Sequence, residues 1–264
     1  MQAIDQEDLE LVVASLRSAG TIAREGYAAT PKTWEKSKGN PVTETDIAVD
    51  LHLKSLLCGS RPDYGWLSEE SVDNPDRLQR KRVFVVDPID GTLAFIKRKP
   101  EFTVCVAVVD DGRPVVAGVY NPLTEEMFTA GVGHGAYLND RRLSVTLRAE
   151  LPGCRMLVAR DVIEHKAWPT PWPAMEIGKR ASIAYRMALV ASGDFDCMMA
   201  LSSKHEWDTA AAALLVQEAG GLVTSHAGAP LVYNQEKPAH RSIVCAGPAL
   251  HRAIMDRTQF LNLP

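Results

Sequence analysis

The segment VFVVDPIDGT, residues 83–92, constrains the fold more than any other part of the sequence. Its apolar run is typical of a buried β-strand, and the glycine and threonine behind it can start a helix over LAFIKR. The strand ends in two carboxylates, Asp87 and Asp90. We therefore expect a turn at the end of a buried strand that gathers negative charge beside a helix N-terminus.

Both halves of this segment suit an ionic ligand. Carboxylate oxygens, and the Ile89 carbonyl between the two acids, are the ligands that hard cations such as Mg²⁺ prefer. Free N–H groups at a helix start, here those of Gly91 and Thr92, favour a phosphate. By itself the segment is equally compatible with a surface Asp-Pro turn followed by a capped helix.

Three further acidic sites lie beside predicted structural transitions. Glu69 and Glu70 follow the apolar YGWL, at the end of a candidate strand. Asp46 lies at the start of one helical pattern and Asp208 at the start of another, where each alone can be an N-cap. Because strands and helices can bring all these acids together, the pattern favours a metal site.

Helical and strand-like patterns alternate along the chain and predict a mixed, layered α/β fold. The first 25 or so residues form an amphipathic helix that ends at Gly26, and a second helix is capped by Thr43 or Thr45. The polar PKTWEKSKGNPVTETD between them predicts a loop. The predicted strands are VFVVD, FTVCVAVVD, PVVAGVYNP, EMFTA, CRMLVAR and RSIVCAG, with a hairpin turn at Asn139-Asp140. The later predicted helices are residues 182–191, WDTAAAALLVQEAGG and ALHRAIMDRTQ.

Charge and cysteine usage exclude several classes of protein. The net charge of −4 provides no basic field for a nucleic-acid polymer or an anionic membrane. The five cysteines are scattered without a CxxC pair, which is typical of reduced thiols in a cytoplasm. No apolar run is long enough to span a bilayer. The glycine-rich GVGHGAYLND leads into a hairpin, whereas a dinucleotide-binding motif would lead into a helix. We predict a cytoplasmic protein without an integral membrane segment.

The motifs VVDPIDGT, WDTAA, SEE and NPVTETD, in this order and spacing, resemble the inositol monophosphatase superfamily of lithium-sensitive, magnesium-dependent phosphatases. The resemblance covers nearly the whole chain, from the first helix through EAGG. It implies an αβαβα sandwich of two subdomains. The strand pattern breaks near residues 145–154, which divides the chain into residues 1–150, with most metal ligands, and 151–264, with Asp208 and substrate contacts. The resemblance also implies two to three Mg²⁺ ions per site, a small phosphate ester as substrate and a homodimer.

The resemblance gives each matching residue an expected role. The metal ligands would be Glu69, Asp87, the Ile89 carbonyl, Asp90 and Asp208. Thr92, paired with Asp46, would orient the attacking water together with Glu69. The backbone amides of Gly91 and Thr92 would take the phosphate, and Lys36 matches a family lysine near the site. Lys204 and His205 offer polar side chains nearby and are candidate substrate contacts.

At the positions that bear on substrate choice, the sequence matches neither the inositol phosphatases nor the bisphosphate nucleotidases of the superfamily completely. FIKRKPEFTV resembles the bacterial 3′(2′),5′-bisphosphate nucleotidases, and the glutamate that meets inositol is replaced by Ala200 or Leu201. Ala94 and Ala212 depart from both patterns. Because we find no motif for a nucleophilic serine or cysteine, we expect hydrolysis by a metal-activated water. The favoured substrate is a 3′-phosphoadenosine 5′-phosphate-type nucleotide. The alternatives are inositol 1-phosphate or a related sugar phosphate, and a non-catalytic metal- and phosphate-binding regulatory module.

Overall fold

The computed structural model describes residues 3–37, 39–166 and 168–263. The α-helices of this part of the chain are α1 (Ala3–Ala28), α2 (Glu44–Ser60), α3 (Thr92–Ile96), α4 (Arg160–Ile163), α5 (Ile183–Ala191), α6 (Ala210–Glu218) and α7 (Pro248–Thr258). The strands of the first half are β1 (Thr33–Ser37), β2 (Asn40–Thr43), β3 (Gly65–Ser68), β4 (Arg82–Asp90), β5 (Thr103–Asp110), β6 (Arg113–Asn121), β7 (Glu126–Gly131), β8 (Gly135–Leu138) and β9 (Arg141–Arg142). The remaining strands are β10 (Arg155–Leu157), β11 (Glu176–Gly178), β12 (Cys197–Ala200), β13 (Lys204–His205), β14 (Leu222–Thr224), β15 (Ala239–His240) and β16 (Ile243–Ala246).

Two larger sheets organise the molecule. A seven-stranded sheet has the order β3-β4-β5-β6-β7-β8-β9, with β3 parallel to β4 and the other neighbours antiparallel. A five-stranded sheet has the order β11-β10-β12-β16-β14. The short hairpins β1-β2 and β13-β15 lie outside both.

Helices cover both sheets and give five layers, which confirms the predicted αβαβα sandwich. On the outer face of the seven-stranded sheet, Leu16 of α1 and Leu53 of α2 pack with Phe84 of β4. Between the sheets, helices α5 and α6 share one core with Val85 and Met198. On the far face, Leu250 and Ile254 of α7 pack against the five-stranded sheet in a third cluster.

The continuous apolar run of β4 is explained by burial on both faces. Phe84 and Val86 belong to the core under α1 and α2, whereas Val83 and Val85 belong to the core between the sheets. Because successive side chains point to opposite faces, a strand covered on both sides has no polar positions to alternate with. This arrangement carries the acidic end of β4 deep into the molecule.

Several local predictions are confirmed, whereas the predicted end of the first helix and one predicted loop are wrong. Asn139-Asp140 joins β8 to β9 as predicted, and the glycine-rich segment is a turn between β7 and β8, where Gly133 and Gly135 donate N–H groups to Glu218. The first helix continues two residues beyond Gly26, to Ala28.

The predicted loop PKTWEKSKGNPVTETD instead contains the β1-β2 hairpin, followed by α2 with Thr43 as its cap. This hairpin was missed because β1 is exposed on both faces and so has no apolar alternation. The division into two subdomains stays a prediction. Within the described residues, no helix combines the length and the apolar character that crossing a bilayer requires.

Candidate active site

The end of β4 brings the site together. Strand β4 continues to Asp90, which still pairs with Thr103 of β5, and a bulge separates Asp87 from Asp90. The two acids therefore lie within the last residues of the strand, and our prediction that both lie in a turn at its end was wrong. The bulge redirects the backbone at this point, as bulges beside active sites commonly do.

Gly91 makes the sharp change from β4 to α3. Its φ of 103° lies in the left-handed region, and a Cβ atom there would be 2.9 Å from the carbonyl oxygen of Glu101. Only glycine avoids both the strain and the contact. The chain can then start α3 at Thr92, directly beside the two acids.

Three carboxylates from separate elements converge. Glu69 follows β3, Asp87 lies near the end of β4, and Asp208 precedes α6. One oxygen of each lies within 4.8 Å of the others. Asp208 is held in place because its Oδ2 accepts a hydrogen bond of 3.0 Å from the backbone N–H of His205.

The central member of this group has an unsatisfied oxygen. Asp87 is 1% exposed, and its Oδ1 accepts a hydrogen bond of 3.0 Å from the N–H of Ile89. Among the described residues, its Oδ2 has no hydrogen-bond donor. A buried carboxylate oxygen without a donor is costly, and a cation would remove that cost. A set of carboxylate oxygens fits Mg²⁺ better than a soft metal.

Burial and mutual repulsion perturb these acids. Burial, together with the charges of Glu69 and Asp90, raises the pKa values of Asp87 and Asp208 well above their ordinary range. The charged forms of these groups are thus disfavoured by their own neighbours. Binding of a divalent cation would reverse this, because it would favour the ionised carboxylates.

Asp90 is oriented differently, toward the start of α5. Its Oδ2 accepts hydrogen bonds of 2.6 Å from Ser182 Oγ and from the N–H of Ala184, and its Oδ1 accepts one of 3.2 Å from Ile183. Burial raises the pKa of Asp90 to about 6, although these hydrogen bonds act in the opposite direction. In the part of the chain that the structure describes, the converging group contains the other three acids and not Asp90. Its role as a metal ligand stays a prediction.

Asp46 and Thr92 form a hydrogen-bonded pair. Asp46 Oδ2 accepts hydrogen bonds from the N–H of Thr43 (3.0 Å) and from its hydroxyl (2.5 Å), which completes the capping box of α2. The other oxygen, Oδ1, lies 3.0 Å from the Thr92 hydroxyl, which is also 3.1 Å from the carbonyl of Ile89. Asp46 therefore both contributes to the cap of α2 and pairs with Thr92, as the resemblance implied.

Lys36 connects the β1-β2 hairpin to the site. Its Nζ lies 2.7 Å from Glu69 and 2.8 Å from Glu70. Burial lowers the pKa of Lys36, but the bonds to the two glutamates outweigh it and the net pKa is raised. Burial raises the pKa of Glu70 to about 7. The hairpin therefore lies over the acidic group, with Glu70 as a residue to which the sequence interpretation gave no role.

A cavity of about 610 Å³ opens in front of these residues. The three converging acids, Gly91 and Thr92 line one part of it. Five cations also line it: Lys97, Lys99, Lys179, Arg180 and Arg186. Arg98, between the two lysines in sequence, is turned away, since its guanidinium bonds the Ala29 carbonyl and lies 5.3 Å from the centre of the Tyr27 ring.

Comparison with known proteins decides the family. The inositol monophosphatase family model matches residues 5–262. The chain belongs to the inositol monophosphatase family. It is 30% identical over 263 residues to the Nus factor SuhB of Pasteurella multocida, covering 95% of each chain. It is 29% identical over 237 residues to inositol monophosphatase 2 of Solanum lycopersicum, covering 84% of this chain and 89% of the relative.

Solved structures agree with the fold. The extragenic suppressor protein SuhB of Bartonella henselae has a TM-score of 0.81 and 27% identity, with 96% of this chain and 99% of that one covered. The IMPase of Thermotoga maritima has a TM-score of 0.81 and 25% identity, with 96% of each chain covered. These are structures of the family that the motifs VVDPIDGT and WDTAA indicated.

Two predicted substrate contacts lie outside the residues that line the cavity. The Lys204 ammonium bonds Ser202 and Ser203, and the His205 ring stacks on Trp207 with 4.5 Å between the ring centres. Burial lowers the pKa of both groups. Their roles stay predictions.

Besides Glu70, the sequence interpretation missed Ser182 and three cations near it: Lys179, Arg180 and Arg186. Lys179 and Arg180 lie three and two residues before Ser182, the N-cap of α5, and Arg186 lies in the first turn of that helix. The cluster of basic residues around a helix start in GKRASIAYR was the available signal.

Proposed function

We propose that this member of the inositol monophosphatase family is a Mg²⁺-dependent, lithium-sensitive phosphomonoesterase. The observation that supports the proposal most is the convergence of Glu69, Asp87 and Asp208 within 4.8 Å, around a buried Asp87 oxygen that has no donor among the described residues. Such a group is unfavourable without a cation and suits a hard one. The cavity in front of it is large enough for a small phosphate ester.

We propose the following roles for individual residues. Glu69, Asp87, the Ile89 carbonyl, Asp90 and Asp208 would hold the metal. When bound, Mg²⁺ ions neutralise charge on the attacking and leaving oxygens and lower the pKa of a water molecule.

Because the Thr92 hydroxyl donates to Asp46, its lone pairs would be available to accept a hydrogen bond from the attacking water, which Glu69 would also orient. The backbone amides of Gly91 and Thr92 would bind the phosphate, because they precede and begin α3 beside the acids. Lys36 would add a positive charge from the hairpin.

Our favoured substrate is a 3′(2′),5′-bisphosphate nucleotide such as 3′-phosphoadenosine 5′-phosphate, hydrolysed to the 5′-nucleotide and phosphate. The cavity supports this choice because it combines cations with apolar surface from Pro41, Leu93 and Ala94. The positions that replace the inositol-contacting glutamate give no polar group to it: Ala200 is buried in β12, and Leu201 lines a different cleft. Inositol 1-phosphate or a related sugar phosphate is the alternative substrate.

The name Nus factor, carried by relatives such as that of Pasteurella multocida, supports a second candidate function. In it, the chain would be a non-catalytic regulatory module that binds metal and phosphate. A binder has no need for a water-orienting pair, so the Thr92 and Asp46 contact favours the enzyme. We also propose a cytoplasmic homodimer, from the cysteine usage and the resemblance.

Phosphate release distinguishes these possibilities. We expect Mg²⁺-dependent release that EDTA abolishes and Li⁺ inhibits, faster from adenosine 3′,5′-bisphosphate than from inositol 1-phosphate. Asp208→Asn should nearly abolish it, whereas Asp256→Asn, an exposed acid on α7, is the matched control. The absence of release from every substrate would favour the regulatory module, and faster release from inositol 1-phosphate would refute the nucleotide assignment.

A further inference from the structure

Five cations line the active-site cavity, and we call them together its basic wall. Lys97 and Lys99 follow α3, Lys179 and Arg180 precede α5, and Arg186 lies in the first turn of α5. Two separate elements thus contribute cations to one wall. The same cavity is also lined by five carboxylates: Glu101, and the acids Glu69, Asp87, Asp90 and Asp208 of the candidate active site.

These cations differ from Arg61, Arg77 and Arg82, which have carboxylate partners. Arg61, Arg77 and Arg82 each form ion pairs with aspartates at 3.0 Å or less. Within residues 3–37, 39–166 and 168–263, none of the five cavity cations has a carboxylate within 4.0 Å. Their charges are therefore available to a ligand.

Arg186 is the most constrained of the five. Its Nε donates a hydrogen bond of 2.6 Å to the carbonyl of Arg180, which fixes the guanidinium at the cavity wall. That is its one hydrogen bond to the described residues, so the remaining N–H groups stay available. Asp90 and Glu101 act on it only at longer range. Half-buried cations are expected to be paired, and a planar guanidinium suits a phosphate with two parallel hydrogen bonds.

Arg180 supports the same arrangement. Its guanidinium lies 5.7 Å from the centre of the Phe195 ring and donates to the Lys179 carbonyl at 2.8 Å. Its own carbonyl accepts the bond from Arg186. The segment before α5 is thus folded so that its cations and Arg186 line the same wall.

We propose that this wall is a subsite for a second phosphate group of the substrate, with Arg186 as the residue that determines specificity for it. The inference rests on the proposed phosphatase function, because it assumes that the scissile phosphate lies at Glu69, Asp87 and Asp208. The wall selects esters with two phosphates over esters with one. The exposed lysines Lys97 and Lys99 attract the dianion, and Arg186 binds it directly.

The test is the ratio of kcat/KM for adenosine 3′,5′-bisphosphate to that for adenosine 3′-monophosphate. Replacing Arg186→Gln should lower this ratio by about 10- to 150-fold, as expected for loss of hydrogen bonds to a charged group. Arg186→Lys keeps the positive charge but loses the planar guanidinium that can donate two parallel hydrogen bonds, so it should give an intermediate ratio. Arg98→Gln, which removes a neighbouring cation that faces away from the cavity, should leave the ratio unchanged. An unchanged ratio in Arg186→Gln would overturn the proposal.

Binding of adenosine 5′-monophosphate compared with adenosine, by titration calorimetry, gives a second measurement that needs no turnover. The wild type should bind the monophosphate more tightly, and Arg186→Gln should lose that difference. If no substrate is hydrolysed, but the wild type shows this difference in affinity and Arg186→Gln does not, the phosphatase function is refuted and the subsite is supported. Equal affinities in the wild type would refute the subsite itself.

Discussion

Ser182 joins the buried Asp90 to helix α5, and its replacement by alanine should destabilise the protein strongly. The Ser182 hydroxyl donates to Asp90 Oδ2 at 2.6 Å and accepts from the N–H of Tyr185 at 2.8 Å as the N-cap of α5. Ser182 and Asp90 are 0% and 7% exposed, so solvent cannot replace either bond. A lost N-cap costs about 1 kcal/mol, and a lost hydrogen bond to a buried charge about 1.5–3 kcal/mol. Because one hydroxyl makes both, we expect a loss of about 2–4 kcal/mol in the free energy of unfolding.

The assay is urea unfolding followed by circular dichroism, with Ser192→Ala as the matched control. Ser192 lies at the other end of α5, where its hydroxyl bonds the Leu189 carbonyl and the exposed Asp194. It touches neither a helix N-terminus nor a buried acid, so its replacement should cost about 0.5–1.5 kcal/mol. If Ser182→Ala costs no more than Ser192→Ala, the idea that Ser182 holds Asp90 is wrong.

Two further predictions concern stability away from the acids. Burial lowers the pKa of His240 from 6.5 to about 4, so the unfolded chain takes up a proton before the folded one as the pH falls through this window. The free energy of unfolding should therefore drop by up to about 3 kcal/mol between these pH values. Urea titrations at several pH values should show a weaker dependence of this free energy on pH in His240→Phe, but not in His134→Gln, which changes an exposed histidine. A Cβ atom at Gly118 would collide with Leu16 and lie 2.9 Å from Val12 Cγ1, so Gly118→Ala should cost about 1–3 kcal/mol through the α1 interface. Gly59→Ala, which meets nothing within 4 Å in α2, should instead be neutral or stabilise by up to about 1 kcal/mol; equal costs at the two glycines would contradict the packing argument.

The sequence predicted the layers well because local patterns report burial directly. The apolar run before Asp87 indicated a buried strand, and β4 is buried on both faces. The acids Glu69, Asp87 and Asp208 were found because each lies at a recognisable strand or helix boundary. Their convergence within 4.8 Å follows from the order of β3 and β4 and the position of α6.

What the sequence could not predict depends on contacts between distant segments. Asp90 bonds Ser182, which lies 92 residues away, and no periodicity links the two. Arg98 and Lys97 look equivalent in FIKRKP, yet only Lys97 lines the cavity, because Arg98 finds the Ala29 carbonyl and the Tyr27 ring on the other side. The β1-β2 hairpin is held above the site by the ion pairs of Lys36 and not by an apolar face of its own.

Metal dependence at Asp87 tests the central claim most directly. Phosphate release from adenosine 3′,5′-bisphosphate and the free energy of unfolding should be measured across a Mg²⁺ titration, in the wild type and in Asp87→Asn. In the wild type both should rise with Mg²⁺ over the same concentrations, with about 2.7 kcal/mol of stabilisation at 100 times the dissociation constant. Without Mg²⁺, Asp87→Asn should be the more stable protein, because it lacks a buried, unpartnered charge, and it should show neither response. Undiminished release by Asp87→Asn, or by the wild type in EDTA, would contradict the account.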